Sequence, residues 1–188
     1  NSFNSLFFMI IVTRLNNLKI SGIFTLAFSV ACLMFYFGTY SGRVFQVTDV
    51  NKEITDSDYV VHRIITCSIM MIVSFIYCVA MHYNQYKFAV VILLCMLKAM
   101  EAFILVWVLI LIFYDIPSAN KVFKISLKLN NSHLTLLFKT GFFIFLINFF
   151  SVYIVNAPKY ALDGRVADSL QAIFGIILMP ATLVSLAI

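Results

Sequence analysis

A chain of 188 residues that is 63% hydrophobic and 11% charged, with mean hydropathy +1.01, lies far from the composition of a soluble globular domain. Its formal charge of +5, from 13 Lys+Arg against 8 Asp+Glu, forms no patch dense enough to follow a phosphate backbone; anionic lipid head groups or an anionic cargo explain the sign better than nucleic acid. Continuous apolar runs, rather than alternation, exclude a β-barrel and predict an all-α, polytopic transmembrane bundle of about six spans.

The first apolar piece, Ser5 to Thr13, is too short to cross a hydrocarbon core of ~30 Å at ~1.5 Å per residue, and with no Met at its head the chain reads as a fragment whose first span continues upstream. The turn Arg14–Lys19 leads into a second span from Ile20 to about Gly42, in which Gly22, Ser29, Ala31 and Gly38 supply small packing positions. The polar connection 43–63 carries Asp49, Lys52, Glu53, Asp56 and Asp58; without the spacing and glycine of a calcium loop it reads as solvated. Thr55-Asp56-Ser57-Asp58 is a helix-start signal ahead of span three, Ile64 to Met81.

After His82–Lys87, the run Phe88 to Tyr114 is interrupted only by Lys98 and Glu101. It is either one long tilted span with an ion pair at its middle, or two half-spans joined near Phe103-Ile104 where intervening sequence is absent. Lys121, Lys124 and Lys128 then form a basic stripe at helical spacing suited to a membrane surface. Span five runs from about Leu134 to Val155.

Between spans five and six lies a polar island, Asn156 to Asp168, where Pro158 disfavours helix at Ala157 and should end or kink the preceding span. Pro158, Gly175 and Pro180 together read as hinge positions, since broken helices are tolerated in membranes where they line a cavity. Span six runs from about Leu170 to Ile188. Placing the basic segment 115–139 and Arg43, Lys52 and Arg63 on the cytoplasmic side, against Arg14, Lys19, Lys87, Lys159 and Arg165 outside, puts the N-terminus inside.

Cys32, Cys67, Cys78 and Cys95 stand singly in apolar runs, which implies buried small hydrophobes rather than disulfides or a metal site. His62, His82 and His133 sit at connections and read as interfacial histidines. No Gly-rich phosphate loop and no catalytic constellation is visible, so no cofactor is implied and an enzyme is not expected. The intramembrane charges carry the functional signal. Lys98 and Glu101 lie three apart on one helical face, and a charge at mid-bilayer costs at least ~2.5 kcal/mol on insertion scales. A mutually neutralising structural pair is the competing reading, as snorkelling to the interface is for Arg14, Arg43, Lys159 and Arg165.

The succession IIVTRL (10–15), SGIFTLAFSVA (21–31), RVFQVTDV (43–50), DYVVHRIIT (58–66), NAPKYALD (156–163) and QAIFGIILMPA (171–181) resembles polysaccharide flippases, the lipid-linked O-antigen, capsule and teichoic-type exporters of the multidrug/oligosaccharidyl-lipid/polysaccharide superfamily. Family members have twelve to fourteen spans in two bundles. The resemblance therefore implies that residues 1–156 form an N-terminal bundle missing sequence near 103–104, and that 157–188 are the connection and truncated first helix of a second bundle. It implies a multi-pass protein of the bacterial inner membrane that moves a polyprenyl-diphosphate-linked oligosaccharide between leaflets. Membrane lipids, a polysaccharide polymerase and other assembly proteins would be its partners, and Arg14, Arg43, Lys98, Glu101, Lys159 and Arg165 would surround the cargo. A multidrug exporter of the same superfamily and a membrane-embedded enzyme of polysaccharide assembly are the alternatives.

Overall fold

The computed structural model describes residues 17–40, 42, 56–110 and 131–178, and these form five helices with no strand among them: α1 (Leu18–Thr39), α2 (Asp56–Ala80), α3 (Gln85–Ile110), α4 (Asn131–Leu162) and α5 (Asp168–Ile177). Among the described residues, three segments are long and apolar enough to cross a membrane, Leu18–Thr39, Asp58–Ala80 and Ser132–Leu162. At ~1.5 Å per residue even the shortest spans ~33 Å, a full hydrocarbon core.

α1 is the axis of the bundle. It packs against each of the other four helices, and 61% of its span is buried against 11% for Ser132–Leu162. The reason is its run of small residues: Ser21, Gly22, Thr25, Ala27, Ser29 and Ala31 are all buried and let neighbouring backbones come close. Their hydroxyls are absorbed locally, Thr25 Oγ1 donating to the Ser21 carbonyl at 2.8 Å and Ser29 Oγ to that of Thr25 at 2.9 Å. Around them Leu26, Val30 and Met34 meet Met70 and Cys78 of α2 and Val91 and Cys95 of α3.

Side-chain pairing fixes direction. Ser29 meets Tyr160, Phe37 meets Phe149 and Phe145, and Tyr40 meets Phe138, so α4 runs antiparallel to α1. α2 and α3 form a hairpin across a turn in which His82 takes φ 49°, with Phe75 edge-on to Phe88 at 5.6 Å. The start of α1, the α2–α3 turn and the α4–α5 turn thus share one end of the bundle, and Tyr40 with the starts of α2 and α4 marks the other. Ile72, Phe75, Leu93, Met100, Phe143, Ile147 and Ile154 lie outermost and exposed, as lipid-facing side chains do.

The structure departs from the sequence reading in three places. Pro158 does not end span five at Val155: α4 continues to Leu162, although proline leaves the Ile154 carbonyl without its usual donor. The last turn is held from outside by Tyr160, whose hydroxyl donates to the Ser29 carbonyl at 2.8 Å, and by Gln171, whose Nε2 donates to the Lys159 carbonyl at 3.0 Å. Residues 56–63 are the opening turns of α2, which begins within the Thr55–Asp58 start signal rather than after a solvated loop to residue 63, with Asp58, His62 and Arg63 buried. Arg63 Nη1 donates to the carbonyls of Gly38 at 3.0 Å and Thr39 at 2.9 Å, and Thr66 Oγ1 to that of Gly38 at 2.8 Å. These bonds occupy carbonyls that the end of α1 leaves open. His62 stands in the second turn of α2 with its ring buried, wedged between Phe138 at 4.7 Å and Tyr40 at 5.9 Å. His133 instead pairs through Nδ1 with Asp58 Oδ2 at 2.9 Å.

α3 is continuous through Phe103 and Ile104, the form that both readings of that run share. Span one, the basic stripe 121–128 and the end of span six lie outside the described residues.

Candidate functional site

Polar groups converge midway along α1. Phe28, Cys32 and Phe35 lie at i, i+4 and i+7 on one stripe of that helix, and Lys98 of α3 reaches over it, its ammonium 5.4 Å from the Phe28 ring and 5.5 Å from the Phe35 ring. Lys98 Nζ donates to Glu101 Oε2 at 2.7 Å, so the pair anticipated from the i, i+3 spacing is formed. The lysine side chain is 15% exposed and the glutamate 30%. Each cation–ring contact is worth roughly 0.5–1 kcal/mol, more where water is excluded.

Lys159 arrives from the other side. Although it stands near the end of α4, its side chain turns back toward the middle of the bundle, as side chains on a helix lean toward its N-terminus. Nζ donates to Ser29 Oγ at 3.2 Å and to Asn156 Oδ1 at 3.1 Å. Asn156 is itself fixed by donation from Nδ2 to the Val152 carbonyl at 3.0 Å. Snorkelling to the interface is therefore not what Lys159 does. Lys98 over the Phe28 and Phe35 rings and Lys159 on Ser29 thus place the two cations against one stretch of α1, residues 28–35.

Below this cluster, at the end shared by the α2–α3 and α4–α5 turns, lies a second network. The Asp163 carboxylate, 2% exposed, accepts Tyr83 Oη at 2.5 Å and Lys87 Nζ at 2.5 Å. Lys87 also approaches Asp168 Oδ1 at 3.7 Å and lies 4.8 Å over the Tyr83 ring. Burial, then the bond to Asp163, pushes the Tyr83 phenol far above its ordinary range, so it remains a donor at any physiological pH.

Of the residues singled out in the sequence, Lys98, Glu101 and Lys159 come together. Arg165 does not: it sits exposed on the α4–α5 turn. Pro158 lies inside α4, Gly175 is buried within α5, and Arg14, Arg43 and Pro180 lie outside the described residues. Sequence reasoning passed over Ser29, Cys32 and Asn156, which hold or border the cations, and Tyr83, Lys87 and Asp163. The i, i+3 spacing of Asn156 and Lys159 was a legible signal for the first group. An open groove of about 810 Å³ runs along Leu134, Phe138, Lys139 and Phe142 in the first turns of α4, apart from Lys98, Glu101 and Lys159. No family model, curated protein or solved structure matches the chain.

Proposed function

We propose that the chain is a membrane transporter of the flippase type, carrying a polyprenyl-diphosphate-linked oligosaccharide from the inner to the outer leaflet of a bacterial cytoplasmic membrane for surface polysaccharide synthesis. One observation carries the reading. Lys98 and Lys159, from different helices, bring two ammonium groups to the middle of an apolar bundle, with Glu101, Asn156 and Ser29 as their partners. Ionisable groups at that depth are costly to retain and mark pathways for polar solutes. A diphosphate offers the oxygens that two ammonium groups would take up, and Phe28 and Phe35 offer apolar faces beside them. Direction would follow from unequal contacts of the cargo with inward- and outward-open states, with no covalent step. The carrier would work beside a polysaccharide polymerase and the other assembly proteins.

The experiment is replacement of Lys98 by Gln, with surface polysaccharide measured alongside the amount of protein in the membrane. The reading expects export per molecule of membrane-inserted protein to fall at least tenfold. Export at the parental level in both Lys98→Gln and Lys159→Gln would refute it. Altered drug susceptibility with normal polysaccharide would favour a multidrug exporter instead.

A further inference from the structure

We propose that Tyr83, Lys87, Asp163 and Asp168 form a gate that closes one end of the bundle over the Lys98–Lys159 cluster. The inference rests on the transporter reading but concerns access rather than cargo. Two helix corners meet here, the α2–α3 turn with His82 at φ 49° and the α4–α5 turn with Gly164 at φ 71°. What joins them is the Asp163 carboxylate, bound by the phenol and the ammonium of the opposite corner.

Such a contact suits a reversible closure. When the corners part, the carboxylate and ammonium regain water, and hydration offsets most of the attraction given up. A seam of apolar side chains at the same place would gain nothing on opening to water.

The gate also borders the cluster it would guard. Asp163 stands one helical turn beyond Lys159, whose ammonium holds Ser29, and Gln171 of α5 donates to the Lys159 backbone carbonyl at 3.0 Å. Movement of the α4–α5 corner is therefore transmitted to the lysine. The α5 start is seated on α1, where the Asp168 carbonyl meets Gly22, so the corner lies across the bundle end. In a bilayer the flanks are sealed by lipid, and an aqueous solute can reach Cys32 only through an end.

Cys32 is a native reporter, half-buried on the stretch of α1 that the two lysines contact, while Cys67, Cys78 and Cys95 are buried and report on the fold. Membranes containing the intact chain would be treated on both faces with a charged, membrane-impermeant methanethiosulfonate, and modification of each cysteine quantified by peptide mass spectrometry. Asp163→Asn should raise the rate at Cys32 about tenfold, equivalent to ~1.4 kcal/mol in the closing equilibrium, with the other three unchanged. Tyr83→Phe, which keeps every charge, should raise it about threefold. The charge-reversed pair Lys87→Asp, Asp163→Lys should return it toward the parental rate. An unchanged Cys32 rate in Asp163→Asn and Tyr83→Phe overturns the gate. So does a parallel rise at all four cysteines, which would make the network a plain structural clasp. A gate that opens in a protein that exports no polysaccharide would leave this inference standing and remove the flippase reading.

Discussion

Gly22→Ala should weaken the bundle although alanine is the better helix former. A Cβ at this position would lie 1.6 Å from the Asp168 carbonyl oxygen and 2.6 Å from its carbonyl carbon, whereas real Cβ contacts essentially never fall under 3.0 Å. The obstacle is backbone, so no rotamer relieves it, and the start of α5 must retreat from α1 by at least ~1.4 Å (3.0 less 1.6). A gap of ~0.5–1 Å already forfeits a quarter to a half of a dispersion contact. An overlap this deep with backbone belongs in the upper part of the ~1–3 kcal/mol that overpacking costs, ~2–3 kcal/mol, against ~0.8–1.0 kcal/mol gained from replacing glycine within a helix. The net expectation is a loss of ~1–2 kcal/mol, and more for Gly22→Leu. The retreat would also draw Asp168 from Lys87 and Gln171 from the Lys159 carbonyl, so Cys32 modification should rise with it. Reversible denaturation of the purified protein in mixed micelles by sodium dodecyl sulfate reads the stability. A Gly22→Ala protein as stable as the parent, or more so, would show that helix propensity dominates and that α1 and α5 do not approach as described.

Three further outcomes follow from the same geometry. Gly164→Ala, with φ 71° and nothing within 4 Å of an added Cβ, should lose ~1 kcal/mol in that denaturation assay from backbone strain alone. Arg63→Gln strips the Gly38 and Thr39 carbonyls of a charged donor and should cost ~2–4 kcal/mol, seen as an earlier denaturation midpoint, with Thr66 still bonded to Gly38. Glu101→Gln leaves the Lys98 ammonium without a counter-charge, so the membrane-inserted amount on immunoblot should drop several-fold, and the double replacement Lys98→Gln, Glu101→Gln should restore it.

Much of the helical layout was readable because a lipid environment imposes one rule on every span, that apolar residues continue until the membrane is crossed. Span two and α1 differ by only two or three residues at either end for that reason. The rule fails where buried polar groups find partners from another helix. Asp58, His62 and Arg63 looked like loop because a one-dimensional reading cannot know that the open carbonyls of Gly38 and Thr39 lie opposite. Pro158 read as an end or a kink, and that the helix continues could not be foreseen because the bonds that hold the next turn come from Ser29 and Gln171, far off in sequence. The Lys98–Glu101 pair was legible because its partners share one helix face. The place of Lys159 was not, since a lysine near a span end can turn either way until the far wall is known. Asp163 was quoted within a motif yet not recognised as a contact, because its partners, Tyr83 and Lys87, lie about eighty residues away.

The most direct test of the transporter account is leaflet exchange in proteoliposomes holding the purified protein and a polyprenyl-diphosphate-linked oligosaccharide, with an impermeant glycosidase supplied outside. The account predicts that the glycosidase reaches the inner-leaflet half of the substrate in the presence of the protein, and that Lys98→Gln leaves only the half initially outside accessible. Equal accessibility in protein-free and protein-containing vesicles, or full exchange by the Lys98→Gln protein, would contradict it.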